Sequence, residues 1–345
     1  MAISIRPADL EVDRPLLTDL LSRNLSPNGV GPRFDWLYLQ NPHGSARAWV
    51  AIEGGTGNGV AAAATFPRKL CIGGSVCLGY VLGDFCIDQQ YRSLGLALRL
   101  QRVCLEHIGS TSSTVGYDFP SDRMMAIYRR MRIAPMGQMV RWSKPLRAER
   151  KMREVVKSVR LARNFAAPIN KLLEWRDIAS ASNHGWSIAE HREDCDEEFT
   201  ELARAVGTHY GTCIERSAEY LNWRYLRHPL VHHEFLIARR DEKLMGYVIY
   251  SNTSEDAKIV DLFGFANAAM WTALVTRVVA LLRARGIITV SVPALATNPW
   301  TGLLKKWGFR QREGSPVVVY TSAKTPALSE DATFPWFLTE GDRES

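Results

Sequence analysis

Apolar and alternating runs occur in two series along the chain and are separated by polar or glycine-containing turns. The runs of the first series cover residues 48–53, 59–66, 69–72 and 80–88, and those of the second cover residues 234–239, 244–251 and 258–265. Short runs of this length, bounded by turn residues, predict β-strands. Gly73-Gly74 and Asp241-Glu242 are suited to hairpin turns between successive strands. Each series therefore predicts an antiparallel meander.

One long amphipathic helix is predicted after each meander. Apolar residues recur at helical spacing in the first half at Leu96, Leu100, Cys104 and Ile108, and in the second half at Trp271, Val275, Val278, Val279 and Leu282. Gly109 and Gly286 are placed to end these helices. A further strand (residues 114–117 and 287–292) and a short helix follow in each half. This order predicts a mixed α/β fold occurring twice, each copy having a largely antiparallel central sheet flanked by helices.

A motif repeated in each half supports an internal duplication. Both copies read apolar-x-Trp-x-Tyr-Leu-x-polar-Pro, with Trp36 and Tyr38 in the first copy and Trp223 and Tyr225 in the second. Trp, Tyr and Pro are uncommon residues, so a match of all three at one spacing is good evidence for a repeat. Two interpretations of the motif stay open. It either packs a helix end or borders a ligand cleft.

Length and composition fit two globular domains. The chain has 345 residues, of which 46% are hydrophobic and 10% aromatic, enough for two cores. Together with the repeat, this predicts a first domain over residues 1–143, a helical linker over 144–184, a second domain over 185–325 and a C-terminal tail over 326–345.

The positive charge of the chain is concentrated in the predicted linker. The formal net charge is +7, and residues 144–176 contain ten Lys or Arg against three Glu. A solvated linker helix is one interpretation of this segment, and contact with an anionic or phosphorylated partner is the other.

The cysteines and the hydropathy pattern indicate a reducing compartment. The six cysteines form no Cys-x-x-Cys pair, and neither they nor the eight histidines show the spacing of metal ligands, so no metal site is predicted. The first residues contain no signal-peptide core, and no run of about 18 apolar residues that could span a membrane occurs. We therefore expect a cytoplasmic protein.

The best candidate for chemistry is the loop between the strand that ends near Asp88 and the long helix of the first half. This loop reads Arg92-x-x-Gly95-x-Ala97. A helix N-terminus presents backbone N–H groups and the positive end of its dipole, which suits a diphosphate. Gly95 and Ala97 let oxygen atoms approach the backbone, and Arg92 adds a charge-assisted contact.

This loop resembles the CoA-binding segment of the GNAT acyltransferase superfamily, Arg/Gln-x-x-Gly-x-Gly/Ala at the start of a helix. The resemblance covers residues 3–142 and 185–322 as a tandem arrangement. It implies an acyl-CoA donor, acetyl-CoA in the first place, held by Arg92, Ser93, Leu94, Gly95, Leu96 and Ala97. It also implies that a splayed strand, with the backbone of Phe85, Cys86 and Ile87, binds the thioester carbonyl and its developing oxyanion.

The resemblance further implies a proton donor for the departing thiolate at Tyr128, in the short helix after the next strand. Arg132-Ile133 replaces the Gly-Phe that usually follows in the superfamily. The second half keeps Gly308-Phe309 but has Leu304 in place of the Tyr, and it lacks a phosphate-binding loop. The second half is thus interpreted as a degenerate copy on the acceptor side.

A carboxylate is needed to accept the proton of an attacking amine, and Asp84 is the first candidate. It lies in an otherwise apolar run, where burial would raise its pKa toward a useful range. The alternative is an outward-facing Asp that alternates with core residues. Asp118 is the reserve candidate. The predicted reaction is acyl transfer from CoA to the amine of a small molecule or amino sugar.

Two other functions remain open. Tandem GNAT-like halves also occur in aminoacyltransferases that use aminoacyl-tRNA, for which the basic linker would bind the RNA backbone. The chain could also be a non-catalytic protein that binds CoA or a metabolite. The tail segment from Phe334 to Asp342 resembles that of some tandem GNAT proteins, and its residues alone indicate no role.

Overall fold

The computed structural model describes residues 2–110, 115–150, 152, 168–171, 174, 185–321 and 335–344. Most of the predicted basic linker therefore lies outside the described residues, and so does the start of the predicted tail. No helix within the described ranges is long and apolar enough to cross a membrane.

Strands and helices alternate in a similar order in the two halves. The strands are β1 (Ile3–Pro7), β2 (Arg47–Glu53), β3 (Gly59–Ile72), β4 (Ser75–Ile87), β5 (Val115–Asp118), β6 (Pro135–Pro145), β7 (Ser187–His191), β8 (Thr212–Ile214), β9 (Glu234–Arg240), β10 (Lys243–Asn252), β11 (Asp256–Gly264), β12 (Thr289–Leu295), β13 (Arg310–Thr321) and β14 (Trp336–Phe337). The helices are α1 (Arg14–Asn24), α2 (Val30–Phe34), α3 (Leu94–Ser110), α4 (Asp122–Arg130), α5 (Glu197–Gly207), α6 (Ala218–Leu221), α7 (Ala268–Ala284) and α8 (Thr301–Leu304).

The described strands form one continuous sheet in the order β1-β2-β3-β4-β5-β13-β6-β12-β11-β10-β9-β7, and β8 joins β14 to β3. Neighbouring strands are antiparallel except for β4–β5, β11–β12 and β8–β14. Helices α3 and α4 pack on one face of the first half, and α7 packs against the sheet of the second half. The predicted fold, a mixed α/β chain with a largely antiparallel sheet, is confirmed.

The two halves exchange their last strands at the centre of this sheet. β6 comes from the first half but pairs with β12 of the second, and β13 of the second half pairs with β5 of the first. β6 and β13 also pair with each other. β6 starts in the predicted first domain and ends at Pro145, inside the predicted linker. The boundaries from the sequence stay a prediction, but the backbone pairing crosses them.

The predicted helix faces and hairpin turns are confirmed, with two corrections. The four predicted apolar residues of α3 and the five of α7 are all buried. Gly109 lies inside α3, which ends one residue later at Ser110. The runs 59–66 and 69–72 are one strand, β3. Pro67 is tolerated there because β2 pairs with β3 only as far as Thr65 and β8 only from Leu70, so no neighbour on that edge needs its N–H.

The repeated motif forms the contact between the halves. Each copy contains a turn of π-helix, Asp35–Leu39 in the first and Asn222–Leu226 in the second. The rings of Trp36 and Trp223 stack with centroids 4.7 Å apart. The indole Nε1 of Trp36 donates to the carbonyl of Trp223 (2.9 Å), and that of Trp223 donates to the carbonyl of Trp36 (3.0 Å). The motif is therefore an interdomain packing device with approximate twofold symmetry.

We predict that Trp223→Phe lowers the free energy of unfolding by about 2–4 kcal/mol, because it leaves the buried Trp36 carbonyl without its donor and shrinks the stacked ring. Urea denaturation followed by circular dichroism measures the change. Trp142→Phe is the matched control, since the Trp142 indole N–H is buried with no partner among the described residues. An equal loss in both variants would show that the reciprocal hydrogen bonds contribute nothing.

Candidate functional site

A cavity opens where strand β4 separates from β5. The two strands pair from Gly79 with Val115 to Val81 with Tyr117, while β4 continues to Ile87. Beyond Val81 the strands diverge, and the opening holds a cavity of about 590 Å³. The splayed strand implied by the sequence is therefore present, and the cavity has the size of a small-molecule site.

A β-bulge in β4 places a carboxylate beside this cavity. Ala62 of β3 pairs with Cys86 and Ala64 pairs with Gly83, so Asp84 and Phe85 together lie opposite one residue. Asp84 has φ +50°, a left-handed conformation that is uncommon outside glycine. Bulges of this kind redirect a side chain next to many active sites. Here the bulge places Asp84 at the end of the opening nearest the paired segments of β4 and β5, which we call the closed end.

The Asp84 carboxylate is held by three hydrogen bonds. Arg33 donates to both oxygens at 2.8 Å, and the Tyr38 hydroxyl donates to Oδ2 at 2.7 Å. This is a bidentate, largely buried ion pair. Removing either partner would leave the other charge buried and unpaired, which is costly to the folded state. The arrangement suits a residue that fixes the bulge, and the role of base stays a prediction for Asp84.

The predicted phosphate loop lies at the other end of the opening. Arg92, Ser93, Leu94 and Gly95 are exposed, and Leu96 and Ala97 are buried. The Nε of Arg92 donates to the Ile87 carbonyl at 3.0 Å, and the Ser93 hydroxyl accepts from the Leu96 N–H at 3.3 Å. A Cβ atom added to Gly95 would meet no heavy atom within 4 Å. The start of α3 is therefore open to an incoming anion.

The predicted site residues do not all face the cavity. Arg92, Ser93, Leu94 and Ala97 line it, as do Phe85, Cys86 and Ile87 of β4. Leu96 packs in the core between α3 and the sheet. Burial raises the pKa of the Cys86 thiol to about 12, which keeps it protonated and unreactive at neutral pH.

Tyr128 is placed behind the cavity wall. Its side chain is fully buried and packs in the core, and Asp118 and Gln101 line the cavity in front of it. The Tyr128 hydroxyl donates to Asp118 Oδ2 at 2.6 Å and accepts from Gln101 Nε2 at 2.9 Å. Burial, followed by the charge of Asp118, raises the pKa of Tyr128 well above 10. The hydroxyl that was predicted to protonate the leaving group thus points at a carboxylate.

Asp118 is the titratable group best suited to proton transfer in this cavity. Burial raises its pKa from 3.8 to about 7, against the opposing effect of the Tyr128 hydrogen bond. Such a group changes protonation near neutral pH, as an acid–base residue requires. Asp118 was the reserve candidate from the sequence, where no local pattern shows that its side chain is buried beside Tyr128.

Sequence reasoning missed Glu344, which lines the same cavity from the C-terminal tail. Its Cγ lies beside Gly83 in β4, since a Cβ added to Gly83 would come within 2.6 Å of it. Burial raises the pKa of Glu344. No periodicity or motif in the sequence links a residue of the tail to β4, so the proximity of Glu344 to this strand is visible only in the folded structure.

The second half repeats the carboxylate arrangement in a closed form. The Tyr225 hydroxyl lies 3.4 Å from Asp261 of β11, as Tyr38 binds Asp84 of β4. The guanidinium of Arg216 bonds both Asp261 and Asp342 of the tail, and all three side chains are almost fully buried. The tail therefore fills the position that corresponds to the cavity, which agrees with a degenerate second copy.

Comparisons with known proteins bear on the fold. No protein-family model matches the chain, and no curated protein matches it in sequence. A GCN5-related N-acetyltransferase from Anabaena variabilis superposes with a TM-score of 0.66 at 15% identity, covering 92% of this chain and 72% of that one. Saccharomyces cerevisiae N-myristoyltransferase with bound myristoyl-CoA gives a TM-score of 0.59 at 14% identity, covering 93% and 79%.

A tandem GNAT protein from the clavulanic acid biosynthesis pathway matches over nearly the whole of both chains. Its TM-score is 0.57 at 12% identity, and the alignment covers 92% of this chain and 98% of that one. These likenesses confirm the fold that the sequence resemblance implied. The chain has the GNAT fold, and the likeness extends across a tandem arrangement of it.

We predict that Asp118→Asn reduces the loss of stability between pH 5 and pH 8. A carboxyl group whose pKa is raised on folding stabilises the protein below its unfolded pKa of 3.8, and this contribution is lost as pH rises through about 7. Between pH 5 and pH 8, the free energy of unfolding of the wild type should therefore fall by about 2–4 kcal/mol more than that of the variant. Urea denaturation at the two pH values measures this, with the exposed Asp241→Asn as control. Parallel losses in wild type and Asp118→Asn would rule out the raised pKa.

Proposed function

We propose that this chain is an acyl-CoA-dependent N-acyltransferase that uses acetyl-CoA as donor and the amine of a small molecule or amino sugar as acceptor. The observation that carries the proposal is the cavity between β4 and β5. It runs from the open N-terminus of α3 at one end to a buried titratable carboxylate, Asp118, at the other.

The residues at the α3 end fit the diphosphate and pantetheine of the donor. The first turn of a 17-residue helix supplies N–H groups and a positive dipole end, and Arg92 lies beside it. The exposed Gly95 leaves the approach clear. The pantetheine arm would then follow the gap between the strands, beside Phe85 and Ile87. Leu96 supports the helix from the core.

The acid–base chemistry is assigned to Asp118. An acceptor that enters as an ammonium ion first gives up one proton to solvent. The nitrogen lone pair of the neutral amine then attacks the acyl carbon, and the ionised Asp118 carboxylate takes the proton that the nitrogen loses as the new bond forms. The carbon–sulfur bond breaks and its electrons leave with the thiolate, which receives the proton held by Asp118. Backbone N–H groups of the splayed β4 segment would stabilise the developing oxyanion.

Tyr128 and Asp84 have supporting roles in this scheme. Tyr128 lies behind the cavity wall, and in this scheme its hydroxyl acts through Asp118, whose anion it stabilises by a 2.6 Å hydrogen bond. Asp84, paired with Arg33, keeps the bulge that shapes the closed end of the cavity. Both are positioning residues.

Acetyl-CoA binding tests the proposal at its first step. We expect saturable binding to the wild-type protein in calorimetry and its loss in Gly95→Trp, because an indole at this position fills the approach to the helix N-terminus. Gly55→Trp is the matched control, since a side chain at Gly55 also meets open space but lies in the β2–β3 loop. It should bind acetyl-CoA as the wild type does.

The alternatives give different results in the same experiment. A folded wild-type protein that binds neither acetyl-CoA nor longer acyl-CoAs would refute the proposed donor, and aminoacyl-tRNA would then be titrated. A protein that binds acetyl-CoA but releases no thiol with methylamine, ethanolamine, cadaverine or glucosamine would support a non-catalytic role.

A pH profile tests the role of Asp118. With the most active amine of that panel, we expect kcat/KM of the wild type to rise with pH through about 7, as Asp118 loses its proton. Asp118→Asn should lower kcat/KM by about 10²–10⁴-fold and remove this ionisation. Acetyl-CoA affinity serves as the control for folding. An unchanged profile in the variant would assign the base to another residue.

A further inference from the structure

We infer that the C-terminal tail completes the acceptor subsite and that its Glu344 carboxylate binds the acceptor as an ammonium cation. The inference rests on the proposed function, since it assigns the acceptor side of the same cavity. It names a binding residue and a class of acceptor, a primary amine that enters protonated.

The described part of the tail is held against the second half by hydrogen bonds and close packing. Asp342 accepts hydrogen bonds from the buried Arg216 at 3.0 and 3.1 Å. Arg224 donates to the carbonyls of Gly341 (2.8 Å) and Arg343 (3.1 Å). Gly341 touches the ring of the motif residue Tyr225 so closely that no side chain would fit there. The position of Glu344 is therefore determined by contacts on its own segment.

Glu344 lies at the closed end of the cavity, away from the start of α3. Its Cγ is beside Gly83, one residue before Asp84, and it lines the cavity together with Asp118 and Phe119. The donor would enter from α3 along the gap, so its acyl carbon reaches this end. The acceptor amine must meet the acyl carbon in the same region.

One oxygen atom of the Glu344 carboxylate accepts no hydrogen bond. Its Oε2 atom is buried and has no hydrogen-bond partner within the described residues. A buried carboxylate oxygen without a donor is costly to the folded state, and such groups call for a specific explanation. A ligand that donates N–H groups at this position would satisfy it.

The charges around Glu344 favour a cation over a neutral ligand. Arg33 is already paired with Asp84, and Arg343 bonds Glu340 and Ser315. No ion pair joins Glu344 or Asp118 to a cation in the described part of the chain, and the charge of Glu344 contributes to raising the pKa of Asp118. An ammonium group between these two carboxylates would relieve their repulsion and place its proton next to Asp118.

Two CoA thioethers that differ only in charge test this without knowledge of the natural acceptor. S-(2-aminoethyl)-CoA carries an ammonium group two carbons beyond the sulfur, and S-propyl-CoA is its neutral isostere. By calorimetry, the wild-type protein should bind the aminoethyl compound at least about tenfold more tightly, as expected for a charge-assisted hydrogen bond in a buried site. Glu344→Gln should lose most of this preference while its affinity for S-propyl-CoA is retained.

The controls separate the inference from the proposed function. Glu340→Gln removes another tail carboxylate, one that binds Lys258 and Arg343 outside the cavity, and should keep the wild-type preference. Equal binding of the two thioethers by the wild type, or an unchanged preference in Glu344→Gln, would overturn the inference while leaving CoA binding intact. A wild type that binds neither thioether would refute the donor site itself.

Discussion

The two halves are joined through a pair of tryptophans, and each indole N–H donates a hydrogen bond to the backbone carbonyl of the other tryptophan. The indole N–H of Trp36 has its acceptor in the Trp223 carbonyl, and the reverse holds for Trp223. Both rings are almost fully buried. Because an unpaired buried donor or acceptor costs about 1–3 kcal/mol, neither copy of the motif is complete without the other. The exchange of β6 and β13 extends this dependence to the sheet, so the halves are expected to fold as one cooperative unit.

This symmetry gives each half the same polar arrangement, a motif tyrosine directed at a carboxylate that an arginine holds. In the first half, Asp84 with Tyr38 borders an open cavity. In the second, Asp261 is enclosed by Arg216 and the tail. The C-terminal tail connects the two sites. It fills the position in the second half with Asp342, and it also carries Glu344 to the cavity of the first half. The degenerate copy thus acts as an anchor for part of the candidate site.

The sequence predicted what is local and missed what is not. The helix faces and the meanders follow from spacing over a few residues, and these were confirmed in the structure. The phosphate-binding role of the loop before α3 stays a prediction. Arg33 and Asp84 are 51 positions apart, and Glu344 reaches β4 from the far end of the chain. The places of β6 and β13 depend on which half of the sheet accepts them. No periodicity encodes such pairings, since long-range contacts are fixed by packing of the whole sheet.

The surroundings of Tyr128 bear on the chemistry that its hydroxyl can perform. A buried phenol alone is a poor proton donor near neutral pH, because burial raises its pKa further. Its hydrogen bond to Asp118 stabilises the ionised carboxylate and partly offsets the desolvation that raises the Asp118 pKa. The balance of these two effects leaves the pKa of Asp118 at about 7, and its side chain lines the cavity. In the proposed mechanism the tyrosine therefore contributes by tuning the pKa of Asp118, and Gln101, which donates to the Tyr128 hydroxyl, orients that phenol in turn.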